Sequence, residues 1–295
     1  MRSTVAPSDT DSAIHTFLSP HSVFLNPSVP SRGQLLVFLP GTNGKTSNTD
    51  AFCSTAAEIG YAVINLMYPD DIPATVVRND KRTDAFLNFR LEVIEGKNLS
   101  EAVDVDRANS IENRLIKALQ YLDKTKPSEH WGRFLTPEGQ PKWSSIAVSG
   151  LSQGAGHAAL LATRHRVARA VLFGGPKDYD RNTNKPAGWY TAPATPLDLI
   201  FTFNHEQDHQ GCDFKEQLEI CKVWGLEKFG SAVSVDTTKS PFNNSHILTT
   251  NYPGTTVTSV KAHTSVVGDG STPKMADGSR LFKPVWLYML TASRP

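Results

Sequence analysis

The sequence predicts an α/β fold with a mainly parallel, doubly wound sheet flanked by helices. Apolar runs of strand length alternate along the chain with longer segments of helical periodicity, as in a series of βαβ units. The 295 residues fit one large domain with a sizeable core, and neither an internal repeat nor a low-complexity linker divides them. We therefore expect a single domain over residues 34–295, preceded by a lead-in over residues 1–33.

The first half of the expected domain begins with a buried strand. Residues 35–40 read LLVFLP, a continuous apolar run that is typical of a central parallel strand. The helical pattern of residues 49–60 and the strand-like AVINLMY of residues 62–68 complete one βαβ unit. Residues 69–110 carry many charges without a strong period, and we expect them to form a surface excursion rather than a separate domain.

The second half repeats this alternation. The amphipathic helix expected over residues 110–124 is followed by the strand SSIAVSG (144–150) and by the Ala-rich helix of residues 154–165. The apolar runs RAVLFGG (169–175) and LDLIFTF (197–203) continue the sheet. The remaining expected elements are a helix over residues 214–226, short strands over residues 231–237 and 256–261, and a closing helix over residues 283–290.

Charge and hydropathy narrow the classes of partner. The net charge is +1, with both signs mixed along the chain, so there is no electrostatic argument for binding nucleic acid or an anionic membrane surface. No apolar run approaches the roughly 18 residues that span a bilayer. We therefore expect a small-molecule partner and neither nucleic acid nor membrane.

The cysteines and the N-terminus bear on the compartment. Three cysteines are too few for a disulfide framework, and Cys212 and Cys221 are expected as free thiols, with a bridge between them as the alternative. The N-terminus lacks the apolar segment of a secretory signal. The expected location is therefore the cytoplasm, or the outside of the cell if a signal was removed. Sequons at Asn98 and Asn243 keep the secreted alternative open.

A pentapeptide near the middle of the chain, GLSQG at residues 150–154, matches the pattern G-x-S-x-G. The apolar strand before it and the Ala-rich helix after it place Ser152 on a sharp strand-to-helix turn. A serine at such a turn has unusual backbone angles. Small residues two positions away on either side are needed to avoid a clash. The pattern indicates a nucleophilic serine; the alternative is a Gly-rich turn that binds a phosphate or no ligand.

On this motif, the segment GLSQGAGHAA resembles the nucleophile elbow of the α/β-hydrolase superfamily. Within this superfamily, the segment looks like the nucleophile elbow of a lidless esterase group that is related in outline to cutinase-like and polyester-hydrolysing enzymes. The similarity runs from about residue 20 to the C-terminus, in strand order as well as in the motif. The resemblance implies an α/β-hydrolase fold and a serine, an acid and a histidine in that chain order. Ser152 takes the first role.

The loop after the first parallel strand has two interpretations. The string GTNGKTS (41–47) resembles, over those seven residues, the ATP-binding loop of the Mur ligase and folylpolyglutamate synthetase family. The hydrolase resemblance instead implies that this loop supplies one N–H of an oxyanion hole, from Thr42 or next from Asn43, while Gln153 supplies the other. We favour the second interpretation because the first leaves the serine motif unexplained. We also expect Asn43 to contact the substrate.

The expected acid follows the strand LDLIFTF, in the segment NHEQDHQG. The resemblance places the acid of the triad just past a late strand, which makes Asp208 the first candidate here. Glu206, Asp213 and Asp178 are the next candidates.

The same segment also matches the zinc-protease pattern H-E-x-x-H, through His205, Glu206 and His209. That pattern needs a helix, so that both histidines face one metal. The β-like run before it and Gly211 after it argue against a sustained helix. A zinc-dependent hydrolase is therefore the alternative, and the main prediction has no metal and no cofactor.

Chain order leaves two histidines as candidate bases, His246 in PFNNSHILTT and His263 in VKAHTSVVGDG. His263 follows the strand expected over residues 256–261 and precedes the final helix, which favours it. His246 follows the run SAVSVDT, which could equally be the last strand, and it stays the alternative base.

Two further pairs of residues are candidates for the substrate site. Trp189 and Tyr190 lie between late strands, where loops border the active site of such folds, so they are expected to form an aromatic wall or, equally well, part of the core. Arg90 and Glu92 are expected to form a surface ion pair rather than to contact substrate. The main prediction is a serine hydrolase that cleaves a small-molecule carboxylic ester; the second alternative is a non-catalytic binding protein of the same fold.

Overall fold

The computed structural model describes residues 1–253 and 257–292, and its centre is a nine-stranded sheet. The strands in chain order are β1 (Arg2–Val5), β2 (His21–Phe24), β3 (Leu35–Leu39), β4 (Ala62–Asn65), β5 (Ile146–Leu151), β6 (Arg169–Phe173), β7 (Tyr179–Asp180), β8 (Lys185–Pro186), β9 (Ile200–His205), β10 (Val233–Ser234) and β11 (Ile247–Thr250). The helices are α1 (Pro7–Thr10), α2 (Asp50–Glu58), α3 (Ala85–Glu95), α4 (Ile111–Thr125), α5 (Gln153–Arg164), α6 (Phe214–Val223), α7 (Ser259–Ser265) and α8 (Lys283–Thr291). β7 and β8 form a separate ribbon.

The strands of the main sheet follow the order β1-β2-β4-β3-β5-β6-β9-β11-β10. β2 lies antiparallel to its two neighbours, and all the other pairs of neighbouring strands are parallel. This mainly parallel sheet flanked by helices is the α/β-hydrolase fold that the sequence predicts. The carboxyl ends of β3, β5, β6 and β9 meet at one edge, where ligands bind in open α/β sheets.

Two hydrophobic cores lie on the two faces of the sheet. Along β3, Leu35, Val37 and Leu39 face one core, while Leu36 and Phe38 face the other. The first core is closed by α3, α4, α5 and α6, and the second by α2 and α8. Because β3 is covered on both faces, all five of its residues are buried, as its continuous apolar run predicts.

Residues 1–33, the expected lead-in, contribute β1 and β2 to the main sheet. β1 pairs with β2, and β2 pairs with β4. Residues 69–110 are not a surface excursion, because they contain α3, which is largely buried. Polar residues interleaved with apolar ones hid the period of this helix in the sequence.

The end of the sheet also differs from the expectation. The described part of residues 256–261 leads into α7 rather than forming a strand, whereas Thr256 lies outside the described residues. The last long strand is β11, from the segment HILTT, and only two residues of the run 231–237 pair with it, as β10. The strand-like alternation of residues 256–261 therefore came from a short helix with small polar residues.

Two further features concern the cysteines and the length of the apolar helices. Cys53, Cys212 and Cys221 are all free and buried, so the alternative bridge between the last two is not present. Across residues 1–253 and 257–292, no helix is both long and apolar enough to cross a membrane.

Candidate active site

Ser152 is the single residue between the end of β5 and the start of α5. Its backbone angles, φ 57° and ψ −115°, belong to a region that costs an ordinary residue about 1–3 kcal/mol. Two backbone hydrogen bonds hold the turn: the Ser152 N–H donates to the Phe173 carbonyl (2.9 Å), and the Gly156 N–H donates to the Ser152 carbonyl (3.1 Å). Ser152 is half-buried and lines a cleft, so a reactant can approach its hydroxyl.

The two glycines of the motif are required by close contacts of the backbone. A Cβ on Gly150 would lie 2.4 Å from the Gly154 carbonyl carbon, and a Cβ on Gly154 would lie 2.0 Å from the Leu39 oxygen. Any side chain at either position would therefore push the turn away from β3. The turn and the loop after β3 are packed as one unit.

Asp208 and His263 form a hydrogen-bonded pair next to this turn. Asp208 lies in the loop after β9 and is fully buried, and His263 lies on α7 and is 7% exposed. His263 Nδ1 is 2.7 Å from Asp208 Oδ2. His263 and Ser152 line the same cleft, and the ring packs so tightly on Gly174 that a Cβ there would lie 2.8 Å from Cε1. A helix, rather than the expected strand, brings His263 to the site.

Opposing effects set the protonation of this pair. Burial raises the pKa of the Asp208 carboxyl, but the hydrogen bond from His263 and the charge of Lys177 outweigh it, and the pKa ends well below its usual range. Burial lowers the pKa of His263, and Lys177 lowers it further, against the raising effect of Asp208. At neutral pH the carboxyl is therefore ionised and the imidazole neutral, as an orienting acid and a general base require.

The alternative base, His246, lies at the opposite edge of the sheet. It directly precedes β11, and its Nδ1 is 3.0 Å from the Ile200 carbonyl oxygen at the start of β9. Its ring is stacked between Phe201 and Phe229, with centroid distances of 4.1 and 4.0 Å. Because Ser152 follows its strand and His246 precedes one, parallel pairing separates them. His246 has a packing role and is not placed to act on Ser152.

Two backbone N–H groups beside Ser152 have no acceptor among the described residues. One belongs to Thr42, in the loop after β3, and the other to Gln153, the first residue of α5. The first N–H groups of a helix have no intrahelical partner. The Thr42 loop lies against the turn, since a Cβ on Gly41 would be 3.2 Å from Ser152 Cβ. The structure thus brings together the two residues expected to form an oxyanion hole.

Asp70, in the segment after β4, holds this loop from the other side. Its carbonyl accepts a hydrogen bond from the Asn43 N–H (3.1 Å), and its carboxylate Oδ2 accepts one from the Gly44 N–H (3.1 Å). The second candidate oxyanion donor, Asn43, therefore has its N–H engaged, although the residue lines the cleft. Desolvation raises the pKa of Asp70 to about 7, with the neighbouring Asp71 adding to the effect.

The variant Asp70→Asn should stabilise the protein most at alkaline pH. With a folded pKa of about 7 and an unfolded pKa of about 3.9, Asp70 contributes stability below pH 4 that is lost as the pH rises through 7. Asparagine keeps the acceptor for Gly44 without a charge. Its free energy of unfolding should exceed that of the wild type by about 4 kcal/mol at pH 8 and by little at pH 4. Urea unfolding at both pH values measures this, and an equal difference at both would contradict it.

Arg90, expected on the surface, is buried beneath the turn. Its Nε and Nη2 donate to the two carboxylate oxygens of Asp178, each at 2.5 Å, and its Nη1 donates to the Gln153 carbonyl (3.1 Å). The guanidinium occupies the space beside Gly156, where a Cβ would lie 2.0 Å from Nη2. Both Arg90 and Asp178 are 1% exposed. This ion pair supports the first turn of α5 and is missing from the sequence prediction.

Glu92, the expected partner of Arg90, has a separate role. Its carboxylate accepts hydrogen bonds from the backbone N–H groups of Leu99, Ser100 and Val105 at 2.9, 2.6 and 3.3 Å. Glu92 is 2% exposed. It organises the loop between α3 and α4, and the expected surface ion pair with Arg90 does not exist.

Trp189 and Tyr190 do not form a wall of the cleft. They are 7% and 2% exposed, and neither lines the cleft. The Trp189 Nε1–H donates to Asp178 Oδ2 (3.0 Å), and the Tyr190 hydroxyl accepts from the Asp178 N–H (3.3 Å). Of the two roles expected for these residues, the structure fits the core rather than the wall of the cleft, because both side chains hold Asp178 for its pairing with Arg90.

The three residues of the zinc alternative are not arranged as a metal site. His205 is the last residue of β9, and its Nε2 is 3.0 Å from the Tyr252 carbonyl oxygen. The Glu206 carboxylate accepts from the Thr249 hydroxyl (3.1 Å), and His209 is exposed in the following loop. Since the strand runs through His205, the histidines are not one helical turn apart. Nowhere in the described chain does a group of three or more His, Cys, Asp or Glu side chains lie together as metal ligands.

The cleft has a volume of about 690 Å³, within the range of small-molecule sites. It is bordered by the loop after β3, by residues 73–75, by the turn at Ser152 and by the residues of α7 and the loop that follows it. The Gln153 side chain joins the first two walls, because its Oε1 accepts from the Thr42 hydroxyl (3.1 Å) and from the Ala74 N–H (3.0 Å). The candidate groups thus share one cleft of suitable size.

Comparison with known proteins gives matches in structure but not in sequence. No family model matches the chain, and no curated protein matches it significantly. The chain is similar to butyrate-bound esterase 2 of the Planctomycetes species Thermogutta terrifontis, with a TM-score of 0.47 and 12% identity over 98% of this chain and 90% of that one. The propionate-bound form gives 0.44 and 11% over 84% and 82%. A truncated carbohydrate esterase from gut microbiota gives 0.44 and 11% over 85% and 87%.

Proposed function

We propose that this chain is a serine hydrolase that cleaves carboxylic esters through an acyl-enzyme on Ser152. The observation that carries the proposal is the Asp208–His263 pair, whose imidazole lines the same cleft as Ser152. The strained backbone of that serine supports it, since such strain concentrates at functional sites. The unoccupied N–H groups of Thr42 and Gln153 on the same cleft add a place for an oxyanion.

In the proposed reaction, His263 Nε2 takes the proton of the Ser152 hydroxyl as its oxygen bonds to the ester carbonyl carbon. Asp208 orients the ring through Nδ1 and stabilises its charged form. The carbonyl oxygen becomes an oxyanion held by the N–H groups of Thr42 and Gln153. Collapse breaks the ester C–O bond, and the imidazolium protonates the leaving alcohol. Water then repeats the sequence on the acyl-enzyme, which releases the acid and restores the serine.

The serine and the imidazole do not yet make their hydrogen bond in this structure. The ring of His263 bonds to Asp208 through Nδ1, and its Nε2 has no hydrogen-bond partner among the described residues. Catalytic hydrogen bonds are often long without substrate and shorten in the Michaelis complex. The proposal therefore includes a movement of the Ser152 side chain toward the ring.

We include in this proposal the lidless, cutinase-like or polyester-hydrolase-like outline that the sequence resemblance implies. It is supported by the partial exposure of Ser152 at the floor of its cleft. A series of p-nitrophenyl esters of increasing acyl length, each measured below and above its solubility limit, tests this part. A lidless enzyme should show no rise in rate when the substrate forms an interface.

Labelling with a fluorophosphonate probe tests the central proposal. The probe should modify one residue per chain, and tryptic mass spectrometry should place the phosphorus adduct on Ser152, because only an activated serine attacks such a probe at neutral pH. Incubation with a chelator should leave both labelling and ester hydrolysis unchanged. Absence of labelling, with chelator-sensitive hydrolysis, would instead favour a metal-dependent enzyme. Absence of both labelling and hydrolysis would favour a binding protein.

A further inference from the structure

A buried lysine lies against the candidate acid. Lys177 follows β6, is 6% exposed and lines the same cleft as Ser152. Its Nζ donates to Asp208 Oδ2 (2.9 Å) and to the Gln210 carbonyl (2.7 Å). The proposed reaction assigns this residue no step. A lysine this deeply buried keeps its charge only when it is paired and hydrogen-bonded. Its contact with Asp208 therefore restricts the position of that carboxylate.

The same carboxylate oxygen serves both the lysine and the imidazole. Asp208 Oδ2 accepts from His263 (2.7 Å), from Lys177 (2.9 Å) and from the Gln217 side-chain amide (3.1 Å), while Oδ1 accepts from the Gln210 N–H (2.9 Å). These four contacts fix the carboxylate in both position and rotation. Any change at Lys177 must therefore act on His263 through a shared atom.

We propose that Lys177 is a positioning residue of the hydrolytic site, which restrains Asp208 and keeps a second charge beside the imidazole of His263. The inference rests on the proposed function, because it assigns His263 the role of base. The ammonium supplies two effects that can be separated by substitution. Its hydrogen bonds hold the carboxylate, and its positive charge disfavours a second positive charge on the nearby ring.

The charges that face His263 are few. Asp208 favours the charged ring and Lys177 opposes it, and burial also opposes it. Lys261, on the same helix, is exposed to solvent. Cys212, close to Lys177, stays a neutral thiol because burial raises its pKa. Lys177 is thus the neighbouring group that keeps the His263 imidazole neutral down to a lower pH.

The acid limb of kcat/KM reports the pKa of the base in the free enzyme. Removing the Lys177 charge should raise that pKa, so the limb should move to higher pH in Lys177→Met and Lys177→Gln by about one unit, the size expected for one adjacent charge. Lys177→Arg keeps the charge, so its limb should stay near the wild-type position even if kcat falls. Lys261→Met, which removes an exposed charge from the same helix, is the matched control and should not move the limb.

An NMR titration of 13C-labelled histidines, with His263 assigned from the His263→Gln variant, gives the same midpoint without any substrate. It separates the two proposals, because a chain with no esterase activity would still show the shift at His263. An unchanged His263 midpoint in folded Lys177→Gln or Lys177→Met would overturn the inference. So would a shift in Lys177→Arg as large as that in Lys177→Gln, since loss of packing rather than of charge would then be the cause.

Discussion

Replacing Ser152 by alanine should lower kcat for p-nitrophenyl acetate by about 10⁴- to 10⁶-fold, because the reaction loses its nucleophile and keeps only binding and oxyanion stabilisation. KM should change little, since the hydroxyl attacks the substrate but does not hold it. The free energy of unfolding should change by less than about 0.5 kcal/mol. The Ser152 side chain makes no hydrogen bond within the described residues, and alanine can occupy the same turn. Steady-state kinetics and urea unfolding of the variant measure both quantities.

Ser149, three residues earlier on β5, gives a matched control for this variant. Its hydroxyl is fully buried and donates to the Val171 carbonyl (2.7 Å), so Ser149→Ala should cost about 1 kcal/mol of stability and leave kcat nearly unchanged. The two alanine variants thus have opposite signatures. Wild-type turnover in folded Ser152→Ala, or an equal loss of turnover in both variants, would contradict the role of Ser152.

Most of the central strands, and the helix that follows Ser152, were predictable because their signals are local. The apolar run of β3 and the strand, turn and helix around Ser152 are each encoded within about a dozen neighbouring residues, where periodicity and small residues are informative. The strand before Asp208 has a local signal of the same kind, whereas Asp208 itself was selected through the family resemblance. A strand that is buried on both faces needs a continuous apolar run, and this run is visible in the sequence.

Other parts of the site were not predictable, since they depend on contacts between distant segments. Arg90 lies 88 residues from Asp178, and a charged side chain in a polar-looking stretch suggests a surface. One signal was present: Arg90 lies between Phe89 and Leu91, within the run AFLNFRLEVIE, and a charge inside such a run must find a buried partner. The structure brings His263 rather than His246 to the cleft of Ser152. It does so on a helix instead of after the expected strand, because short polar helices have weak periods.

The largest effect on stability is expected at the ion pair beneath the turn. Arg90→Met and Asp178→Asn each leave one buried partner without its counter-charge, and such a loss costs about 3–5 kcal/mol. For a chain of this size the loss corresponds to a melting temperature lower by about 5–15 °C. Differential scanning calorimetry of each variant and of the double variant measures the loss and the coupling between the two sites. The double variant should be more stable than the sum of the two single losses implies.

The pair Arg82–Asp80 supplies the control, because it also joins an arginine to an aspartate (2.6 Å) but lies at the surface. Exposed pairs contribute little, so Arg82→Met should leave the melting temperature unchanged within error. The Arg90 variant should also lose activity, since Arg90 holds the Gln153 carbonyl and thereby the start of α5. If Arg90→Met and Arg82→Met had the same melting temperature, the Arg90 guanidinium would not be desolvated. The Ser152 turn would then need another support. A large loss confined to Arg90 and Asp178 would mean that the strain at the turn is sustained by a buried charge pair.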